Sequence, residues 1–152
     1  TFKTRNVYYI ILLLFINVYI LVQFYLKTKL YNNTMTIEFE GDRKAFLQLL
    51  QDNKGLMIFK FTADWCEPCQ TIKSGVDLFF SSISSAIVKC YEVNVDECFD
   101  LFAFMKTKKM MKGIPTMMAY KKGTTSFSPD DSISGADLKE INAFFMRCMK
   151  LI

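Results

Sequence analysis

The run Leu56-Met57-Ile58-Phe59-Lys60-Phe61 stops at Trp65-Cys66-Glu67-Pro68-Cys69, and beyond it the apolar residues recur at helical spacing. A nearly continuous apolar run of this length fits a central strand buried on both faces. Two thiols three positions apart, where that strand feeds a helix, form a dithiol that can close as a disulfide. The first thiol then sits at the helix N-terminus, where unpaired backbone N–H groups and the helix dipole favour the thiolate, which is the nucleophile.

The same Cys-x-x-Cys spacing also serves half of a zinc site. Zinc needs two more ligands, usually a second close cysteine pair or histidines. The chain has no histidine, and Cys90, Cys98 and Cys148 stand apart from one another. Redox chemistry is therefore the reading, with no metal and no cofactor. Five cysteines leave at least one thiol unpaired in a monomer, unlike the even framework of a disulfide-stapled secreted domain. A formal charge of +4 over 152 residues, with the basic residues spread out, gives no footprint for nucleic acid.

The coarse pattern from residue 34 onward is βαβαβαββα. Thr34 to Phe39 alternates as a first strand, and Asp42 is placed to cap a helix through Leu50. Leu56 to Thr62 is the central strand, followed by a long helix from Cys66 or Glu67 to about Ser82. A strand from Ile87 to Val95 and a shorter helix from Glu97 to Lys106 come next. Thr116 to Tyr120 and Thr125 to Phe127 read as a hairpin around Lys122-Gly123. Asp137 and Glu140 have capping-box spacing at the start of a last helix that continues through Phe144, Phe145 and Met149. Ser74-Gly75 lies within the long helix, at a place where a Ser-Gly pair permits a bend.

Four landmarks occur in the order found in one family. They are Phe61-Thr62-Ala63-Asp64-Trp65-Cys66-Glu67-Pro68-Cys69, Val93-Asn94-Val95-Asp96, Gly113-Ile114-Pro115-Thr116 and Lys121-Lys122-Gly123. With these the chain resembles the thioredoxin family over about residues 34 to 152. The resemblance implies an α/β thioredoxin fold, a central mixed sheet flanked by helices. It also implies a cis peptide bond before Pro115, in a loop where an extended substrate pairs with backbone groups, and a contact surface made by Trp65. Gly113, Ile114, Pro115 and Thr116, with Trp65, Glu67 and Pro68, are then the substrate-binding residues. The segments Val93-Asn94-Val95-Asp96-Glu97-Cys98 and Pro129-Asp130-Asp131-Ser132-Ile133-Ser134-Gly135 are similar to thioredoxin-like proteins of large DNA viruses, a likeness that would make a virion or host membrane the setting.

The chemistry expected of the dithiol has two steps. Cys66 as thiolate attacks a substrate disulfide, and Cys69 then attacks Cys66 to release the reduced substrate. Where the family commonly carries a buried Asp five residues before the tryptophan and a Lys on the neighbouring strand, this sequence has Lys60 and Glu92, a pair exchanged in sign. Two arrangements fit. Either Lys60 and Glu92 face each other beneath the site and Glu92 accepts the Cys69 proton, or Lys60 snorkels to solvent and Glu92 is an ordinary strand-end charge. Pro68 before the second cysteine resembles the reducing members of the family. A negative Glu67 beside Cys66 disfavours the thiolate and points to a reducing dithiol. Lys106, Lys108, Lys109 and Lys112 form either a solvated helix end or a patch that steers acidic partners. Cys90 reads as a buried small hydrophobe, whereas Cys98 and Cys148 are open to reaction or to linking two chains.

Ahead of the domain lies Val7 to Leu26, interrupted only by Asn17 and Gln23, which as a helix would rise about 30 Å and match a bilayer core. No polar face appears at helical period, and the run is longer than a signal-peptide core. It reads as an uncleaved single-pass anchor, with residues 1–6 as flank and 27–33 as linker. Lys3 and Arg5 on one side balance Lys27 and Lys29 on the other, so the positive-inside rule does not choose a side. The sequon Asn32-Asn33-Thr34 lies too close to the span to choose one either.

The whole sequence therefore predicts a membrane-anchored thiol-disulfide oxidoreductase that reduces or exchanges protein disulfides through Cys66 and Cys69. No G-x-G-x-x-G fingerprint appears, so electrons come from a reductase or a small thiol. A non-catalytic binding module built on the Pro115 groove, and a disulfide oxidase or isomerase, are the alternatives.

Overall fold

The computed structural model describes residues 16–23 and 36–152. The chain divides into two units, residues 1–33 and 34–152. In the first, residues 16–23 are helical and exposed. No helix among the described residues is long and apolar enough to cross a membrane. The expected span at 7–26 lies mostly outside the described residues, as do its flank, the 27–33 linker and the sequon.

The second unit runs β1 (Ile37–Glu38), α1 (Arg43–Gln51), β2 (Leu56–Thr62), α2 (Glu67–Ile83), β3 (Val88–Asn94), α3 (Phe99–Thr107), β4 (Thr116–Lys121), β5 (Asp131–Ser134) and α4 (Leu138–Cys148). The strands form one sheet in the order β1-β3-β2-β4-β5. β1, β3 and β2 are parallel, while β4 runs antiparallel to β2 and β5 antiparallel to β4. β2 is central and every one of its residues is buried, which accounts for its apolar run.

Strand alternation divides the core into two. Met57, Phe59 and Phe61 of β2 join Phe46 and Leu50 of α1 and Leu101 and Met105 of α3 on one face. Leu56 and Ile58 join Ile72, Val76 and Phe80 of α2 and Ile141, Phe144 and Phe145 of α4 on the other. Lys60 continues the second set, so a lysine stands where the pattern calls for an apolar residue.

The caps follow the sequence. The Asp42 carboxylate accepts from the Ala45 N–H at 2.9 Å, and Asp137 accepts from the N–H groups of Lys139 and Glu140. α2 runs unbroken through Ser74 and Gly75.

Several boundaries shift by a residue or more from the expected ones, and two do so for identifiable reasons. α3 begins at Phe99, not Glu97, because Asn94 ties up the turn before it: its side chain accepts from Asp96 N–H and its carbonyl from Cys98 N–H. The hairpin is corrected more substantially, since Thr125 to Phe127 is not a strand and β5 lies at Asp131–Ser134. The Phe127 ring turns inward against Phe104 and Phe46, and its carbonyl accepts from the Tyr120 hydroxyl at 2.8 Å. Asp130 fastens the longer loop by accepting from Lys121 N–H and the Thr124 hydroxyl.

Candidate active site

β2 delivers the chain to the site. Its end is held by Val95 N–H donating to Thr62 O, and a turn follows in which Cys66 N–H donates to Ala63 O. Cys66 caps α2, with its sulfur accepting from Cys69 N–H at 3.3 Å, and Pro68 occupies the first turn, where a missing N–H is harmless. Cys66 and Cys69 are joined as a disulfide, with Cα atoms 5.2 Å apart, and are 4% and 3% exposed. Glu67 and Pro68 are exposed beside them.

Trp65 projects from the same turn, 68% exposed, and its indole N–H donates to Asp96 at 2.8 Å. The Ile114–Pro115 peptide bond is cis. Register pairs Phe61 with Thr116, which sets Pro115 beside the end of β2 from which the dithiol turn springs. The loop is pinned below by Thr116, whose hydroxyl donates to Gly113 O at 2.6 Å and lies 2.7 Å from the Ser134 hydroxyl. Gly135 N–H donates to Pro115 O at 2.8 Å.

Beneath the turn, Lys60 is drawn in and does not snorkel. Its side chain is 3% exposed, and its ammonium lies 2.5 Å from Glu92, its register partner on β3, and 3.3 Å from Asp77 of α2. Lys73 completes the group, 3.2 Å from Asp77 and 3.8 Å from Glu92. Burial works against the Lys73 charge, but the Asp77 hydrogen bond and the Glu92 carboxylate together hold its pKa above the usual lysine value. Sequence reading found Lys60 and Glu92 but missed Lys73 and Asp77. The signal was present in the four-residue spacing Cys69, Lys73, Asp77 along one helix.

The other cysteines are all buried. Burial pushes the Cys90 and Cys148 thiols up to about 12, and that of Cys98 upward also, so none presents a ready thiolate. Cys98 donates its S–H to Phe39 O. Among the described residues no group of side chains has the makings of a metal site.

A closed dithiol at a helix N-terminus, with a cis-proline loop at the end of the adjoining strand, defines a thiol-disulfide oxidoreductase. The comparisons agree. The thioredoxin family profile matches residues 38–146. Thioredoxin of Equus caballus is 35% identical over 104 residues, spanning 66% of this chain and 88% of that protein. Thioredoxin of Bos taurus is 36% identical over 102 residues, 65% of this chain and 86% of the other. The X-ray structure of Fasciola hepatica thioredoxin superposes with a TM-score of 0.58 at 26% identity, covering 75% of this chain and 99% of that one. The chain belongs to the thioredoxin family.

Proposed function

We propose that this protein is a membrane-anchored protein-disulfide reductase in which Cys66 is the nucleophile and Cys69 the resolving thiol. The observation that carries the reading is the Cys66–Cys69 disulfide at the N-terminus of α2, with Cys66 at the cap and Cys69 further into the helix. The Cys66 thiolate attacks one sulfur of the substrate disulfide and expels the other as a thiolate. Cys69 gives up its proton, attacks Cys66 and releases the second substrate thiolate, leaving the protein oxidised. Glu92, 26% exposed at its side chain, accepts that proton and passes it to water. A reductase or small thiol restores the dithiol. Trp65, Glu67, Pro68 and the loop Gly113-Ile114-Pro115-Thr116 hold the substrate.

The apolar stretch 7–26 supports the anchor, which would raise the effective concentration of the dithiol toward partners in the same membrane. Cys69→Ser is expected to accumulate a mixed disulfide between Cys66 and substrate, and Cys66→Ser to form none. Equal trapping by both variants would refute the assignment. The full chain is expected to stay with membranes through alkaline carbonate extraction, and its release would remove the anchor. The potential of the pair is expected near about −270 mV, and a value near −120 mV would make it an oxidant.

A further inference from the structure

α3 ends in a turn that suits glycine and holds lysine. Lys109 N–H donates to Lys106 O and Met110 N–H donates to Met105 O, both at 2.9 Å, which are the two bonds of a Schellman motif. Lys109 takes the left-handed position of that motif at φ 57°, and among the described residues no other non-glycine residue has a positive φ. Glycine usually stands there because a Cβ crowds the backbone, so the lysine costs stability. A residue kept in such a conformation points to a function for its side chain.

The turn is firmly held. Met105 is fully buried, Met110 packs against the same core, and Met111 is buried just beyond it. Lys106, Lys108, Lys109 and Lys112 are all exposed, and among the described residues none of them is in an ion pair. The helix dipole favours cations in a last turn, which accounts for Lys106 and Lys108. It does not account for a lysine in glycine's place, nor for Lys112, which lies past the turn in the run that leads into Gly113-Ile114-Pro115-Thr116.

The sheet puts charges of opposite sign on the two sides of the dithiol. β3 and β4 flank β2, and their register partners at the dithiol end of β2 are Asn94, which ends β3, and Thr116, which begins β4. Asp96 and Glu97 follow β3, whereas the lysine run precedes β4. Asp96 holds Trp65, and Glu97 lines a cavity of about 190 Å³ with Glu38, Asp64, Glu92 and Asn94. The dithiol turn thus opens between a carboxylate flank and a lysine flank.

We propose that Lys109 and Lys112, with Lys106 and Lys108 behind them, are specificity-determining residues that select protein disulfides carrying carboxylates on one side of the reacting cysteine, the side laid along the Pro115 loop. This rests on the reductase reading above and leaves its chemistry unchanged. Opposite charge within a Debye length, about 10 Å at 0.1 M salt, speeds encounter and like charge slows it. A segment acidic on both sides would be drawn by the lysines and repelled by Asp96 and Glu97, so the matching segment is acidic on one side alone.

The test is second-order reduction, by the reduced full chain in nonionic detergent, of peptides whose single cysteine is in a disulfide with 2-mercaptoethanol. One peptide carries glutamates before the cysteine, one carries them after it, and one has glutamines at all those places. At about 0.02 M salt one of the glutamate peptides is expected to react about tenfold faster than the glutamine peptide, and at about 0.5 M the advantage should shrink below about twofold. The double variant Lys109→Gly, Lys112→Gln should lose most of that advantage. It should reduce the glutamine peptide at the wild-type rate and melt no lower than wild type, because glycine suits the turn. Equal rates for the two glutamate peptides overturn the proposal, as does a glutamine peptide that reacts as fast as either. An advantage that persists in the variant or in high salt overturns it too. So does a variant that slows every peptide alike, since the lysines would then be serving the fold. If Cys66→Ser reduces the glutamine peptide as fast as wild type, the reductase reading itself has failed and the proposal falls with it.

Discussion

Trp65 and Asp96 are joined by an indole N–H to carboxylate hydrogen bond of 2.8 Å, tying the residue before Cys66 to the turn after β3. The bond lies in the open, so it adds little to stability, about 1 kcal/mol or less. What it fixes is the orientation of a ring that is otherwise 68% exposed.

Asp96→Ala is therefore expected to leave the melting temperature almost unchanged while freeing the ring. Tryptophan fluorescence has a single source here, since Trp65 is the chain's one tryptophan. Its anisotropy should fall, and KM for a protein disulfide should rise a few-fold, the equivalent of about 1 kcal/mol. Turnover of a small aromatic disulfide should hold. An unaltered anisotropy would show that something other than Asp96 orients the ring.

A second prediction concerns the entry to the central strand. A Cβ on Gly55 would stand 2.3 Å from the backbone oxygen of Ile87, the atom that accepts the Leu56 N–H at 2.8 Å. Backbone on both sides cannot yield as the tip of a side chain would. Gly55→Ala should therefore destabilise the fold by about 1–3 kcal/mol, as overpacking does. Gly75→Ala, where an added Cβ meets nothing within 4 Å, should be neutral or slightly stabilising. Urea denaturation of the two variants decides it, and equal midpoints would contradict the contact.

These positions show what a linear reading catches. β2, the caps Asp42 and Asp137, the dithiol and Pro115 were legible because each depends on a local rule: an apolar run, a capping residue, a spacing, a motif. The second half of the hairpin was not. Phe127 alternates acceptably with its neighbours, yet it is captured by the rings of Phe46 and Phe104, some eighty and twenty residues earlier. That is a tertiary preference overriding a local one. Lys73 and Asp77 were missed for a related reason. On an isolated helix they are an ordinary i,i+4 pair, and only the register between β2 and β3 brings Lys60 and Glu92 to them.

The buried thiols set an alkaline limit. Burial pushes Cys90 and Cys148 from 9.0 up to about 12, and the neighbouring Asp131 adds to the effect on Cys148. A folded pKa above the unfolded one means that the native state holds protons the unfolded chain releases. The resulting stability is present in full below pH 9 and is lost as pH climbs from about 9 toward 12. The melting temperature is expected to fall steadily above pH 9. Cys90→Val, close in volume, should flatten part of that slope, and the same slope in the variant would contradict the assignment. Native protein with its Cys66–Cys69 pair closed should also resist alkylation at pH 8, with all three remaining thiols appearing only on denaturation.

The aromatic cluster around Phe46 offers the sharpest test of the fold. Phe46 is fully buried and meets Phe39, Phe59, Tyr120 and Phe127 at centroid distances of 4.7 to 6.0 Å. Phe127 is only half-buried, so its truncation leaves a space that water can reach. Phe46→Ala should thus destabilise by about 3–5 kcal/mol and Phe127→Ala by distinctly less. The rings are stacked with planes 5° apart, and removal of either strips the other of a partner. The double variant should accordingly be less destabilised than the sum of the singles, by about 0.5–1.5 kcal/mol. Simple additivity in urea denaturation would mean that the rings do not touch in solution and that the loop after β4 lies elsewhere. Phe127 belongs neither to the dithiol turn nor to the Pro115 loop, so Phe127→Ala should retain its rate of disulfide reduction at temperatures where it remains folded.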